Sequence, residues 1–272
     1  MDENLLIAFA FTTFAGLSTG IGSLIALFIK KTNKKFLSVA LGFSAGVMIY
    51  VSMIEIFFKA QESLVEELGE KMGSWITVAA FFGGMFFISL IDKFIPSPES
   101  VKEIDTIEEM IEDDTKKEIK DKKKLLRMGV FTALAVGIHN FPEGFATLIS
   151  ALKDPALGLS IAIAIAIHNI PEGIAVSVPI YYATGSRKEA FKYSFLSGIA
   201  EPVGAIVGYL ILAPFMTEAV FGIAFAAVGG IMVFISLDQL LPAAREYGDH
   251  FLSVYGSIAG MIVMAVSLVL LI

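Results

Sequence analysis

The sequence predicts an all-α integral membrane protein of eight transmembrane helices, with both termini on the extracytoplasmic side. Three observations carry this fold class. Apolar residues make up 56% of the chain against 17% charged, and mean hydropathy is +0.77, which excludes an ordinary soluble domain. The apolar residues come in blocks of about 20 residues or more, each long enough to cross a hydrocarbon core about 30 Å thick at roughly 1.5 Å per residue. Within a block they run continuously instead of alternating, so the blocks are helices and not barrel strands.

The blocks follow in order. Span 1 is Leu5–Ile29, stopped by Lys30, Lys31, Lys34 and Lys35. Span 2, Phe36–Phe58, holds Met48 at its centre and Glu55 near its end. An acidic loop, Gln61 to Met72, leads to span 3, Gly73–Ile95, where Asp92 beside Lys93 reads as an interfacial pair. Residues 96–124 are highly charged and mixed in sign, and they read as a solvated, partly disordered linker. A regulatory or metal-sensing loop is the alternative. Spans 4 (Leu125–Leu152) and 5 (Ala156–Tyr182) each contain a polar motif at mid-length. Span 6 is Ala190–Leu212, span 7 is Ala219–Leu241, and span 8 is Phe251–Ile272. Eight spans use up nearly the whole length, so residues 1–272 read as one transmembrane domain with no soluble catalytic unit.

Charge placement orients the bundle. All lysines and arginines except Lys59, Lys71 and Lys153 lie in or beside loops 1, 3, 5 and 7. The positive-inside rule puts those loops in the cytoplasm and both termini outside. The start, Met1-Asp2-Glu3, lacks a basic leader region, so span 1 is expected to persist in the mature chain. There is no cysteine, which excludes disulfides and thiolate metal sites.

Several stretches recur. His139-Asn-Phe-Pro-Glu-Gly-Phe-Ala146 in span 4 returns as His168-Asn-Ile-Pro-Glu-Gly-Ile-Ala175 in span 5. Gly46-Val-Met-Ile-Tyr-Val-Ser-Met-Ile-Glu55 in span 2 resembles Gly230-Ile-Met-Val-Phe-Ile-Ser-Leu-Asp-Gln239 in span 7. More weakly, Gly16 to Gly22 aligns with Gly198 to Gly204, and Gly84-Met85 with Gly260-Met261. The paired spans 1 and 6, 2 and 7, and 4 and 5 run in opposite directions, the pattern of an inverted repeat with its site at the midplane.

The doubled octapeptide is the candidate site. A charge at mid-membrane costs about 2.5–3.5 kcal/mol on insertion scales, so these residues need compensation. His139 and Glu143 share a helix face at i and i+4, with Asn140 on its flank; His168, Glu172 and Asn169 repeat this. Imidazole with carboxylate suits Zn²⁺, Fe²⁺, Mn²⁺ and related ions. Pro142 and Pro171 free the carbonyls of Ile138 and Ile167. Glu201, before Pro202 at the centre of span 6, is a third carboxylate. One divalent ion would leave one negative charge uncompensated, so either two ions or a protonated carboxylate is expected. The alternative is a structural polar cluster tying two helices, a costly tie for four ionisable groups. Glu55 and Asp238 are candidates for the outer and inner mouths of one pathway, or else interfacial residues. Met48 is a soft ligand or, more commonly for such a methionine, a packing residue. His250 beside Asp249 receives no role.

With these motifs the chain resembles the ZIP (Zrt-/Irt-like) family of divalent-metal transporters and is similar to its bacterial ZupT-type branch. The resemblance spans essentially the whole chain and includes Ser236-Leu-Asp-Gln-Leu-Leu-Pro-Ala-Ala-Arg245 and Ile91-Asp-Lys-Phe-Ile-Pro96. It implies eight helices in a 3+2+3 inverted repeat and a binuclear site with His139, Asn140, Glu143, His168, Asn169, Glu172 and Glu201 as ligands. Zn²⁺, with Fe²⁺, Mn²⁺, Co²⁺ and Cd²⁺, would be transported substrate and not catalytic cofactor, entering the cytoplasm across the cell (inner) membrane. Metal ions and membrane lipid are the implied partners, without nucleic acid; a homodimer is compatible. The third loop, often histidine-rich in the family, has no histidine here. A passive channel using the same ligands is the nearer rival. An intramembrane zinc hydrolase is the remoter one, because Asn follows each His where zincins have Glu, and no spare general base remains.

Overall fold

The structure, a computed structural model, describes residues 3–28, 34–94, 113–153, 155–212, 215, 217–246 and 250–270. Span 1 is the helix Glu3–Phe28. Span 2 starts as Lys34–Val51, passes through a π-helical turn at Ser52–Ile56 and continues as Phe57–Leu68. Span 3 is Glu70–Phe94, span 4 lies in Asp113–Lys153, and span 5 is Pro155–Thr184. Span 6, Arg187–Val207, ends in a π-helical turn at Gly208–Leu212. Span 7 is Glu218–Ile235, a π-helical turn at Ser236–Leu240, and Leu241–Glu246; span 8 is His250–Leu270. Among the described residues no strand occurs. Gly69 turns the chain directly from span 2 to span 3 at φ 81°, in the left-handed region that glycine adopts without a Cβ clash.

Seven of these helical stretches are long and apolar enough to cross a membrane. The exception is Asp113–Lys153, which begins in charged residues and has His139, Asn140, Pro142 and Glu143 diluting its apolar half. Two expectations change here. Residues 113–124 are helix continuous with span 4, not linker; lysine and glutamate favour helix, and extending a formed helix avoids the nucleation cost. Residues 96–112 of that linker lie outside the described residues. Asp92 pairs with Arg127 of span 4, whose guanidinium donates to the Asp92 carboxylate at 2.8 Å and its carbonyl at 2.9 Å, not with neighbouring Lys93.

The helices pack in two groups. Spans 1, 4, 5 and 6 contact one another, and spans 2, 3, 7 and 8 form a second set. Span 2 against span 5 and span 7 against span 4 join the two. Close approaches rest on glycines, as expected where helices associate in lipid through small residues. Their positions follow the sequence repeats. A Cβ on Gly46 would run into the Ser257 carbonyl, and one on Gly230 into the Phe81 carbonyl. Gly260 meets Phe43 as Gly84 meets Ala227; Gly22 meets Ile170 as Gly204 meets Phe141; Gly173 meets Thr19 as Gly144 meets Glu201. Aligning Gly16 with Gly198, Gly46 with Gly230, Gly84 with Gly260 and His139 with His168 turns each contact into its mate. The π turns correspond too. Ser52 and Ser236 each donate a hydroxyl to the carbonyl four residues back, Met48 at 2.6 Å and Met232 at 2.9 Å.

Candidate metal centre

Spans 4 and 5 form an antiparallel hairpin, with Gly129 against Ile180 at one end and Gly158 against Ala151 at the other. This arrangement brings the two octapeptides face to face. His139, Asn140, Glu143, His168, Asn169, Glu172 and Glu201 are all at most 2% exposed. The motifs cross-link reciprocally: His139 Nε2 lies 3.0 Å from Glu172 Oε1, and His168 Nε2 lies 3.6 Å from Glu143 Oε2. The first is a hydrogen bond; the second is too long for one.

The amides are held by backbone. Asn140 donates to the Ser197 carbonyl of span 6 at 3.2 Å. Asn169 donates to the Ala15 carbonyl of span 1 at 2.9 Å and to Glu201 Oε2 at 2.8 Å. Each side-chain nitrogen is thus committed, and both Oδ1 atoms are left without partners. His139 Nδ1, both His168 nitrogens, Glu143 Oε2, Glu172 Oε2 and Glu201 Oε1 also lack hydrogen-bond partners. Buried polar atoms almost always have partners, and each exception asks for an explanation. Here the orphans are oxygens and imidazole nitrogens, the donor set of a borderline divalent cation.

Among the described residues no three imidazole or carboxylate groups converge at ligating distance on one point. They meet as two His–Glu pairs and one Asn–Glu pair. An ion entering this centre would therefore separate the pairs, exchanging His–Glu contacts for His–metal and Glu–metal bonds.

The residues expected to line a pathway fall differently. Met48 is fully buried in the apolar core. Glu55 lies in the π turn of span 2, where its Oε1 accepts from Lys59 at 2.7 Å while Oε2 is buried without a partner. Asp238 lies in the corresponding turn of span 7, exposed, accepting from the Gln239 amide at 2.6 Å. The Ala15 and Ser197 carbonyls that hold the asparagines carry no sequence signal, since any residue supplies a carbonyl. Ser44 of span 2, whose hydroxyl donates to the Pro171 carbonyl at 2.7 Å, carries no sequence signal either, since the carbonyl that Pro171 frees is that of Ile167.

Comparison with known proteins identifies the family. The model of the family described as ZIP zinc transporter matches residues 96–268, which include all seven site residues. Proteins described as zinc transporter ZupT from Lysinibacillus sphaericus and Streptococcus mutans are 62% and 63% identical over 272 residues, covering both chains completely. Another of that description from Chlorobium chlorochromatii is 60% identical over 270 residues, 99% of each chain. The chain is thus a multi-pass membrane protein that belongs to the ZIP zinc transporter family.

Proposed function

We propose that the protein carries Zn²⁺ across the cell membrane into the cytoplasm, using the centre between spans 4 and 5 as its transport site. The observation that carries this reading is the set of orphaned lone pairs on buried His139, His168, Glu143, Glu172 and Glu201. A merely structural cluster would satisfy its members, since a half-satisfied polar network is worse than an apolar one. The names of the relatives point to zinc. A donor set of nitrogen and oxygen without sulfur also suits Fe²⁺, Mn²⁺, Co²⁺ and Cd²⁺.

Three carboxylates in one buried centre favour two divalent ions, or one ion with a retained proton. The paired glycine contacts and corresponding π turns support an inverted 3+2+3 repeat, with lysine placement putting both termini outside. Alternating access then follows from displacement of the 1-4-5-6 group against the 2-3-7-8 group along the seams between spans 2 and 5 and spans 7 and 4. Burial of the whole donor set favours such a carrier over an open channel. No hydrolase reading is retained, because the family is one of transporters.

Radiometric Zn²⁺ uptake into proteoliposomes tests this. Saturable uptake that Glu143→Ala/Glu172→Ala abolishes is expected. Unimpaired uptake by that double variant overturns the site assignment.

A further inference from the structure

We propose that Thr19 is a further residue of the transport site, supplying a neutral oxygen to the ion on the Asn140 side where Glu201 supplies a charged one on the Asn169 side. The proposal rests on the transporter reading above.

The two residues occupy matching places. A Cβ on Gly16 would sit 3.1 Å from the Glu201 Cβ, and one on Gly198 would sit 2.9 Å from the Thr19 Cβ. Gly144 packs on the Glu201 carbonyl as Gly173 packs on the Thr19 carbonyl. Aligning Gly16 with Gly198 makes Thr19 the counterpart of Glu201.

The hydroxyl of Thr19, like that of buried Thr132 and unlike those of four other threonines, is left without a hydrogen-bond partner. Thr12, Thr77, Thr147 and Thr184 each donate to the carbonyl four residues back, at 3.1, 2.8, 2.9 and 2.7 Å. That is how a threonine in a membrane helix usually satisfies itself. The corresponding acceptor for Thr19 is the Ala15 carbonyl, which Ser18 at 2.6 Å and Asn169 at 2.9 Å already occupy. Thr19 is 0% exposed and its Oγ1 has no hydrogen-bond partner. Glu201 stands in the same relation to Ser197, whose carbonyl Asn140 occupies. In each half an asparagine donates to the carbonyl four residues before the polar side chain of the outlying helix, Thr19 or Glu201, and one oxygen of that side chain, Thr19 Oγ1 or Glu201 Oε1, has no partner.

The consequence is a centre with unequal halves. A carboxylate holds a divalent ion more tightly than a hydroxyl, so the Asn169–Glu201 half retains its ion and the Asn140–Thr19 half releases it.

The test compares Zn²⁺ uptake by Thr19→Val, Thr19→Ser and, on the same helix, Thr12→Val in proteoliposomes, with thermal unfolding measured in parallel. Thr19→Val is expected to raise KM about tenfold, the lower end of effects at metal sites, without loss of thermal stability. Thr19→Ser recovers most of the affinity, and Thr12→Val stays at the wild-type value. Thr19→Glu, which installs the carboxylate of the other half, lowers KM and maximal rate together. The Val and Ser pair decides the matter even where the Glu variant fails to fold. Thr19→Val uptake indistinguishable from that of Thr12→Val overturns the proposal alone. A wild-type protein without saturable Zn²⁺ uptake contradicts the transporter reading and this proposal with it.

Discussion

Of the seven buried donors, His139, Asn140, Asn169, Glu172 and Glu201 are each held by a hydrogen bond on one side and open on the other, while His168 and Glu143 only approach each other at 3.6 Å. Glu172 holds His139 through Oε1 and keeps Oε2 free. Glu172→Gln therefore removes the anion while keeping the shape, and Zn²⁺ uptake at limiting substrate is expected to fall at least about tenfold. Asn169 is more structural. Its amide donates to both the Ala15 carbonyl and Glu201, and Asn169→Ala strands the Glu201 oxygen in the protein interior while Ser18 still serves the Ala15 carbonyl. That change should cost about 1–3 kcal/mol of stability, read as a lowered unfolding midpoint in detergent. All seven residues are legible in the sequence, because ionisable and amide groups stand out against apolar spans. Thr19 is set opposite Glu201 by the weak Gly16–Gly22 repeat, but an isolated threonine in such a helix ordinarily bonds to its own backbone, and only the positions of Ser18 and Asn169 show that its acceptor is taken.

Helix pairs here are held by glycines facing carbonyls. Gly173 meets the Thr19 carbonyl, whereas a Cβ added to Gly83 of span 3 would have nothing within 4 Å. Gly173→Val is expected to destabilise the protein by about 1–3 kcal/mol or more, as overpacking does, while Gly83→Val leaves thermal unfolding near that of the wild type. Equal effects of the two would contradict the packing described. Each apolar block of the sequence falls on a helical stretch, and the helix ends differ from it by five residues or fewer except at the start of span 4 and the end of span 2. Span 4 starts at Asp113 and span 2 runs on to Leu68, since hydropathy marks where a helix enters or leaves lipid and not where it begins or ends. The π turns at Ser52–Ile56 and Ser236–Leu240 leave no compositional trace. The repeat that joins Gly46 with Gly230 nevertheless pairs the two segments, and one inserted residue in a helix re-aims the side chains around it, here Glu55 and Asp238.

At the scale of the whole molecule, the lysine and arginine distribution makes the firmest prediction about orientation. The chain has no cysteine, so single cysteines report accessibility without background. Glu70→Cys is expected to react with a membrane-impermeant maleimide in intact cells, and Lys188→Cys only after permeabilisation; the reverse pattern would invert the topology. Sequence periodicity can pair the spans but not assemble them, because which helices touch depends on glycine–carbonyl contacts between distant parts of the chain. Those contacts set the two octapeptides opposite each other, where we propose the ion is held. Zinc K-edge absorption on the purified, Zn²⁺-loaded protein tests this placement most directly. A nitrogen and oxygen shell at about 2.0–2.1 Å with imidazole scattering and no sulfur is expected, with loss of the imidazole signal in His139→Ala/His168→Ala. An imidazole signal unchanged in that variant, or a sulfur shell from methionine, would contradict it.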